Sequence, residues 1–134
     1  MEILRQGQEM EDSGPPLGGA FVGDVAQRPL HVNQQGEPVE VIFVQFAPHS
    51  HTHWHRHGAG QVLYLVSGRG YVEDEHGNAA TLSPGDTVIA QPGVRHWHGA
   101  APTCDEGATY VACSFGDEAW MDAPRVTDHA GTAI

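Results

Sequence analysis

The sequence contains little cysteine, little positive charge and no long apolar run. Its two cysteines, Cys104 and Cys113, form no CxxC pair, so we expect free thiols rather than a disulfide. No apolar stretch approaches the ~18 residues that a membrane span needs, and the N-terminus has no visible signal peptide. We therefore expect a cytoplasmic protein.

The scarcity of basic residues limits the partners of the chain. Six Lys and Arg residues stand against 17 Asp and Glu residues, which gives a formal net charge of −11. Such an acidic surface repels phosphate groups, so neither a nucleic acid nor an anionic membrane is an expected partner. The 134 residues are enough for one domain with its own core.

Glycine and proline are plentiful, and they divide the chain into short segments. The 17 glycines and 9 prolines separate brief runs rich in Val, Ile, Tyr and Phe. Short β-branched runs between turn residues predict an all-β sandwich or barrel. The predicted strands are residues 39–46, 62–66, 70–72, 87–90 and 109–115, with edge strands at 21–25 and 29–32. Residues 117–121 are the one candidate for a single helical turn.

Histidines occupy every second position between residues 49 and 57. Side chains on a strand alternate faces, so His55 and His57 point the same way, about 7 Å apart. A Gly-Ala-Gly turn follows, and Gln61 opens the next apolar strand. Two imidazoles and one oxygen from neighbouring strands can then converge, which predicts a site for one divalent metal ion.

The register of this histidine run is set by a glycine. A tight turn must follow the ligand-bearing strand, and Gly68 lies seven residues beyond Gln61 with apolar residues between. Earlier registers would place the turn at bulky residues, so the pair His55 and His57 is selected. His51 and His53 are then solvated or hydrogen-bonded strand histidines, or they line the mouth of the site, and a solvated or hydrogen-bonded role is also the alternative for any His-x-His pair.

A second segment, residues 84–99, offers further histidines. A Pro-Gly turn, an apolar strand and another Pro-Gly turn precede His96, and His98 faces the same side two residues later. By spacing alone, either histidine could be a metal ligand. Trp97 points the other way and is expected to pack in the core or at an oligomer contact.

These two segments resemble the paired motifs of the cupin superfamily. The pattern His55-x-His57-x3-Gln61-x6-Gly68 is similar to the first motif, with glutamine in place of the usual glutamate, and residues 85–93 followed by His96 are similar to the second. The resemblance implies a single-domain cupin double-stranded β-barrel (jelly roll) with an N-terminal arm. Its metal ligands would be His55, His57, Gln61 and His96. We expect a flexible arm at residues 1–19, the barrel at 20–128 and a tail at 129–134.

A narrower resemblance covers most of the chain. The segments Thr52-x-Trp54-His55-x-His57, Gly60-Gln61 and His96-Trp97-His98-Gly99-Ala100-Ala101-Pro102-Thr103 are similar to small bacterial manganese cupins of the hydroxynitrile lyase type. This implies manganese as the metal, with iron, nickel or zinc as alternatives, and a homodimer or homotetramer. It also places Thr52 and His98 in the pocket beside the metal. Tyr110 stands where those lyases carry a second pocket histidine.

The ligand set itself predicts a chemistry. Three neutral imidazoles and an amide leave the double charge of the cation uncompensated, so the ion should bind an anion or acidify a bound hydroxyl. His98 is suited to move a proton, although a structural histidine or a further ligand are alternatives. Thr52 could bond the substrate oxygen, and Tyr110 could act as a weaker acid.

Three functions from different classes agree with these patterns. The first is a redox-neutral lyase that acts on a small hydroxy or carbonyl compound, in the manner of hydroxynitrile C–C cleavage. The second is an iron-dependent dioxygenase, which would consume oxygen in the presence of its substrate. The third is a non-catalytic sensor of a metal or a small ligand, which usually carries an additional effector segment. Fold alone does not choose among them.

Overall fold

The fold is all-β, as the short β-branched segments predict. The computed structural model describes residues 1, 3, 5, 11–12, 20–33, 35–128 and 132–134, and in these ranges there is no helix, hence none that could span a membrane. The strands are β1 (Glu11–Asp12), β2 (Phe21–Val22), β3 (Val25–Asn33), β4 (Val39–Phe46), β5 (His51–Thr52), β6 (His55–His57), β7 (Gln61–Gly68), β8 (Gly70–Asp74), β9 (Ala79–Leu82), β10 (Thr87–Ala90), β11 (His96–Ala100), β12 (Ala108–Phe115) and β13 (Glu118–Trp120).

The strands form two antiparallel sheets whose inner faces enclose the core. One sheet has the order β1-β3-β4-β12-β7-β10. The other has the order β13-β6-β11-β5-β2, with β8 also paired to β11 and β9 paired to β8. Several neighbouring strands come from distant parts of the sequence, among them β6 and β11, so the histidines of these two strands can meet.

Alternation along the strands decides which side chains enter the core. In β7, Leu63 and Leu65 are buried, whereas Tyr64 and Val66, which alternate with them, are exposed. Side chains alternate faces along a strand, and residues directly opposite each other in paired strands point to the same face. Inward-facing residues of neighbouring strands therefore meet. The resulting apolar cluster contains Val25, Val44, Phe46, Leu63, Leu65, Leu82, Ala100, Ala108, Tyr110 and Ala112.

Most predicted segments coincide with strands. Residues 39–46 and 87–90 are strands over those same bounds, and 62–66, 70–72 and 109–115 lie inside slightly longer strands. The predicted helical turn at 117–121 is wrong. Glu118–Trp120 is instead a strand, because its backbone pairs with His55–His57 of β6. Pairing across the sheet satisfies these backbone groups, which a five-residue segment without caps cannot do as a helix.

Two glycines allow the close approaches that shape the site. Gly60 has a φ of +97° in the turn between β6 and β7, a conformation that residues with a Cβ rarely adopt. Gly99 lies opposite His51, and a Cβ on it would come within 2.5 Å of the His51 backbone. Strands β5 and β11 therefore pack closely enough for Thr52 to reach the backbone of His98.

Several expectations concern the ends of the chain and the cysteines. The predicted N-terminal arm, residues 1–19, lies largely outside the described residues, although Glu11–Asp12 pairs with β3. The predicted tail, residues 129–134, is described only from 132, where Ala133 bridges to Thr127. Cys104 and Cys113 are free thiols, as predicted. The homodimer or homotetramer stays a prediction.

Candidate metal centre and its cavity

The four predicted metal ligands converge between the two sheets. Strand β6 supplies His55 and His57, β11 places His96 directly opposite His55, and β7 supplies Gln61. The ring of His55 lies 4.4 Å from that of His96 and 5.1 Å from that of His57, centroid to centroid. Gln61 Oε1 lies 2.7 Å from His96 Nε2, and all four side chains are buried.

His98 belongs to the same cluster. One ring nitrogen from each of His55, His96 and His98 lies within 4.8 Å of the others, so these three histidines could hold a metal ion. His57 is not in that tightest group, although its ring contacts those of His55 and His96. The sequence leaves open whether His96 or His98 is the ligand of β11, and the ring positions bring both to the centre.

Several ring nitrogens of this cluster have no hydrogen-bond partner among the described residues. His55 Nδ1 donates to the carbonyl of His53 at 2.9 Å, and its Nε2 is buried without a hydrogen-bond partner among the described residues. Both ring nitrogens of His57 are likewise buried without such a bond. Buried polar atoms without partners are costly. A bound cation would satisfy these nitrogens, so the donor set fits a metal ion.

The two groups that face the ring nitrogens of His96 also indicate a bound cation. Its Nδ1 faces the carbonyl of Val94 at 3.2 Å, and its Nε2 faces Gln61 Oε1 while the Gln61 amide nitrogen donates to Ser114. A neutral imidazole has one N–H, yet here both nitrogens face acceptors. A cation shared by Nε2 and Oε1 satisfies both atoms, and nitrogen and oxygen donors suit a divalent transition metal.

Burial keeps these imidazoles neutral. It lowers the pKa of His55 and of His98 well below the usual 6.5, and the neighbouring histidines add to the shift. Burial likewise lowers the pKa of His96, and it lowers the pKa of His57 to about 4. Each ring therefore has a lone pair available near neutral pH, which metal ligation and proton acceptance both require.

Thr52 and His98 lie side by side on the wall of the cavity. The backbone N–H of His98 donates to Thr52 Oγ1 at 3.1 Å, so the Thr52 hydroxyl hydrogen remains available to another acceptor. His98 Nδ1 is buried without a hydrogen-bond partner among the described residues. Phe46 and Tyr110 contact its ring edge-on and hold it in place. Both side chains line the cavity, and their catalytic roles stay predictions.

Tyr110 occupies a different position from the one expected of an acid partner. Its hydroxyl donates to the carbonyl of Gly99 at 2.6 Å and accepts the N–H of Tyr71 at 3.3 Å. The residue is buried in the apolar core and does not line the cavity, and burial raises its pKa. The hydroxyl ties β12 to β11 and β8 instead of facing a substrate.

We therefore expect Tyr110→Phe to reduce stability and leave catalysis intact. The buried carbonyl of Gly99 and the half-buried N–H of Tyr71 would lose these hydrogen bonds, which costs about 1–3 kcal/mol in the free energy of unfolding. Urea titration measures this, and Tyr64→Phe is the matched control because Tyr64 is 46% exposed. Normal stability combined with a large loss of turnover would instead give Tyr110 a catalytic role.

The remaining histidines of the run have structural contacts. His51 Nδ1 donates to the carbonyl of Thr52, and its ring packs on Trp97, which is buried as predicted. His53 Nδ1 donates to the carbonyl of Met121. His49 is paired with Asp105 on the surface. None of the three enters the cluster around His55, which agrees with the register that Gly68 predicts.

Three residues beside the centre were not predicted from the sequence. Ser114 accepts the Gln61 amide N–H at 2.9 Å, which orients the amide. Trp120 stacks on His55 with ring centroids 4.4 Å apart. Glu118 lies 3.7 Å from His57 Nδ1. Alternation along residues 109–115 could have placed Ser114 on the inner face, whereas Glu118 and Trp120 fall in the segment misread as helical.

A cavity of about 250 Å³ leads to the cluster. His55, His57, Gln61, His98 and Thr52 lie on its wall, together with Glu40 and Glu118. Burial, reinforced by Glu118, raises the pKa of Glu40. The rest of the wall is largely apolar and includes Ala20, Phe21, Pro29, Val32, Ile42, Val44, Phe46, Ala112 and Trp120. The space suits a small, mainly apolar molecule with one polar end.

Comparisons with known proteins agree with this geometry. The cupin domain family matches residues 42–108. The chain is 40% identical over 103 residues to an (R)-mandelonitrile lyase from Granulicella tundricola, a match that covers 77% of each sequence.

Solved structures confirm the architecture. A cupin-like protein from Thermotoga maritima superposes with a TM-score of 0.77 at 30% identity, over 96% of this chain and 98% of that one. KdgF from Halomonas sp. superposes with a TM-score of 0.61 at 20% identity, over 83% and 89%. The predicted cupin barrel is therefore confirmed. With its paired motifs, its barrel and its buried histidine cluster, the chain belongs to the cupin family.

Proposed function

We propose that this cupin is a metal-dependent lyase that cleaves the C–C bond of small hydroxynitriles without net oxidation or reduction. The observation that carries the proposal is the meeting of neutral imidazoles with Thr52 and His98 at the end of a small apolar cavity. The 40% identity to an (R)-mandelonitrile lyase supports the substrate class.

The proposed ligands are His55, His57, Gln61 and His96, and manganese is the favoured ion. Their support is the set of lone pairs described above: Nε2 of His55, Nε2 of His57, and the pair formed by His96 Nε2 and Gln61 Oε1. A divalent cation bound there would supply Lewis-acid stabilisation of negative charge that develops on the substrate. A neutral Gln61 leaves that positive charge undiminished, where a glutamate would cancel one unit.

His98 and Thr52 would handle the substrate hydroxyl. The neutral His98 imidazole accepts the hydroxyl proton as the C–C bond breaks, the oxygen becomes the carbonyl of an aldehyde, and the electron pair leaves with cyanide. The proton on His98 then passes to cyanide, so the products are an aldehyde and hydrogen cyanide and the imidazole is regenerated. Thr52 donates its hydroxyl hydrogen to the substrate oxygen, since its own oxygen is held by the His98 N–H.

The apolar wall would bind the remainder of the substrate. Phe21, Phe46 and Trp120 present aromatic surfaces to the cavity, and Ile42 and Val44 add aliphatic ones. A small hydroxynitrile would bury its hydrocarbon part against them and direct the carbon that carries the hydroxyl and nitrile groups toward the histidines. Exclusion of water by this wall strengthens the electrostatic interactions at the polar end.

The proposal is tested with manganese-loaded protein and mandelonitrile in oxygen-free buffer. We expect benzaldehyde and cyanide in equal amounts, and we expect a chelator to abolish turnover and added manganese to restore it. Turnover that is unaffected by complete metal removal, or no turnover at all, would overturn the proposal. Substrate-dependent oxygen uptake by iron-loaded protein would favour a dioxygenase. Metal binding without any turnover would favour a sensor.

A further inference from the structure

The three histidines of the proposed ligand set differ in what holds their outer nitrogen. Nδ1 of His55 bonds the carbonyl of His53, and Nδ1 of His96 bonds the carbonyl of Val94, in each case two residues earlier in the chain. Nδ1 of His57 has no hydrogen bond to a described residue and faces the carboxylate of Glu118, 3.7 Å away. The outer nitrogen of one ligand of the three therefore faces a carboxylate instead of a backbone carbonyl.

The strand register produces this arrangement. Glu118 of β13 lies directly opposite His57 of β6, just as Trp120 lies opposite His55. Opposed residues of an antiparallel pair point to the same face, so Glu118 and His57 share the inner face of the sheet. Both line the cavity, and the Glu118 side chain is 31% exposed. The placement of these two residues opposite each other on one face follows from the backbone register.

The charge of the site gives Glu118 a second role. The proposed ligands are three neutral imidazoles and an amide, so they contribute no negative charge of their own. A carboxylate next to a ligating histidine offsets part of the charge of the ion through the ring and raises the basicity of the ligand. Glu118 lies in the position to do this, outside the ligand set.

We propose that Glu118 is a positioning residue of the metal centre. Its carboxylate accepts a hydrogen bond from the Nδ1–H of His57, fixes the tautomer that leaves Nε2 free for the ion, and supplies negative charge that Gln61 does not. This inference rests on the metal centre of the proposed function, and it adds a residue that neither cupin motif contains.

The neighbouring residue provides a matched control. Asp117 precedes Glu118, pairs with the exposed Arg56 at 3.4 Å and is itself exposed. Asp117→Asn thus removes the same charge from the same segment without touching His57. Glu118→Gln keeps the size of the side chain and removes its charge, and Glu118→Asp keeps the charge.

The main measurement is the affinity of the purified chain for Mn²⁺, and for Zn²⁺ against a chromophoric chelator. We expect Glu118→Gln to bind both ions about 10–100-fold more weakly, as loss of such an outer partner typically does. Glu118→Asp should recover most of the affinity, and Asp117→Asn should stay within about twofold of the wild type on the same scale.

Two further readouts separate positioning from a general structural role. Metal-free Glu118→Gln should unfold in urea like the metal-free wild type, while the stabilisation gained from added metal shrinks. In Zn²⁺-loaded, ¹⁵N-labelled protein, the His57 Nδ1–H proton should resonate downfield in the wild type and move upfield in Glu118→Gln. A shift confined to His57 supports the proposal even if the variant is less stable.

The outcomes distinguish this inference from the proposed function. A wild-type chain that binds neither ion overturns the metal centre and this inference with it. A wild type that binds, with Glu118→Gln equal to it in affinity and in the His57 resonance, overturns only the role of Glu118. Equal losses in Glu118→Gln and Asp117→Asn also overturn that role, because they would indicate a general charge effect.

Discussion

His98→Ala is expected to lower the turnover of mandelonitrile by about 10²–10⁴-fold, the usual contribution of a positioned general base. The substitution removes the imidazole that would accept the substrate proton. It leaves the backbone N–H that bonds Thr52 Oγ1, so the local strand pairing is retained. The proposed ligands on β6 and β7 are untouched. The loss should therefore appear in kcat while metal content stays at the wild-type level.

Metal analysis of the same variant decides between the two roles of His98. Its ring nitrogen lies within 4.8 Å of those of His55 and His96, so a ligand role is the structural alternative. If His98→Ala loses its metal, His98 is a ligand and the proton acceptor must be another group. If the variant keeps both its metal and full turnover, His98 is neither a ligand nor the proton acceptor.

His55→Ala is expected to abolish turnover through loss of the metal. His55 lies at the middle of the cluster, in ring contact with His57, His96 and His98. Loss of an outer partner already costs 10–100-fold in metal affinity, so loss of a central ligand should cost more than about 100-fold. Metal content per chain after dialysis and benzaldehyde formation are the two measurements.

His53→Ala is the matched control for this experiment. It removes a histidine two residues away whose ring bonds Met121, while the His53 carbonyl that holds His55 Nδ1 remains. We expect normal metal content and turnover within a fewfold of the wild type. If His53→Ala and His55→Ala lost metal equally, the register assigned to the histidine run would be wrong. Urea unfolding of both variants in chelator checks that each one still folds.

The segments of the fold could be predicted because strand alternation and turn residues are local signals. The strand at residues 39–46 was predicted with its exact bounds, and the one at 87–90 to within one residue, from their apolar runs and flanking turns. The position of Gly68 selected His55 and His57 from five equivalent histidines, and these two rings reach the cluster. Residues 117–121 were misread because a short segment has no periodicity that excludes a helical turn, and only its pairing with β6 makes part of it a strand.

The role of a side chain beyond the motifs was harder to predict. Tyr110 was expected beside the substrate, yet its hydroxyl is held by Gly99 and Tyr71 on neighbouring strands. Glu118 has no motif around it, and its importance arises from lying opposite His57 across a ladder. Such contacts depend on which strands pair and in which register, and a local pattern contains neither.

The sequence by itself determined most of the strands, the shared face of His55 and His57, and the neutral charge of the donor set, because each follows from residue type and a period of two. Tertiary structure alone decided that Tyr110 belongs to the core and that Glu118 faces His57. The physical reason is that antiparallel pairing joins residues tens of positions apart, and the register of that pairing is set by the packing of the whole barrel.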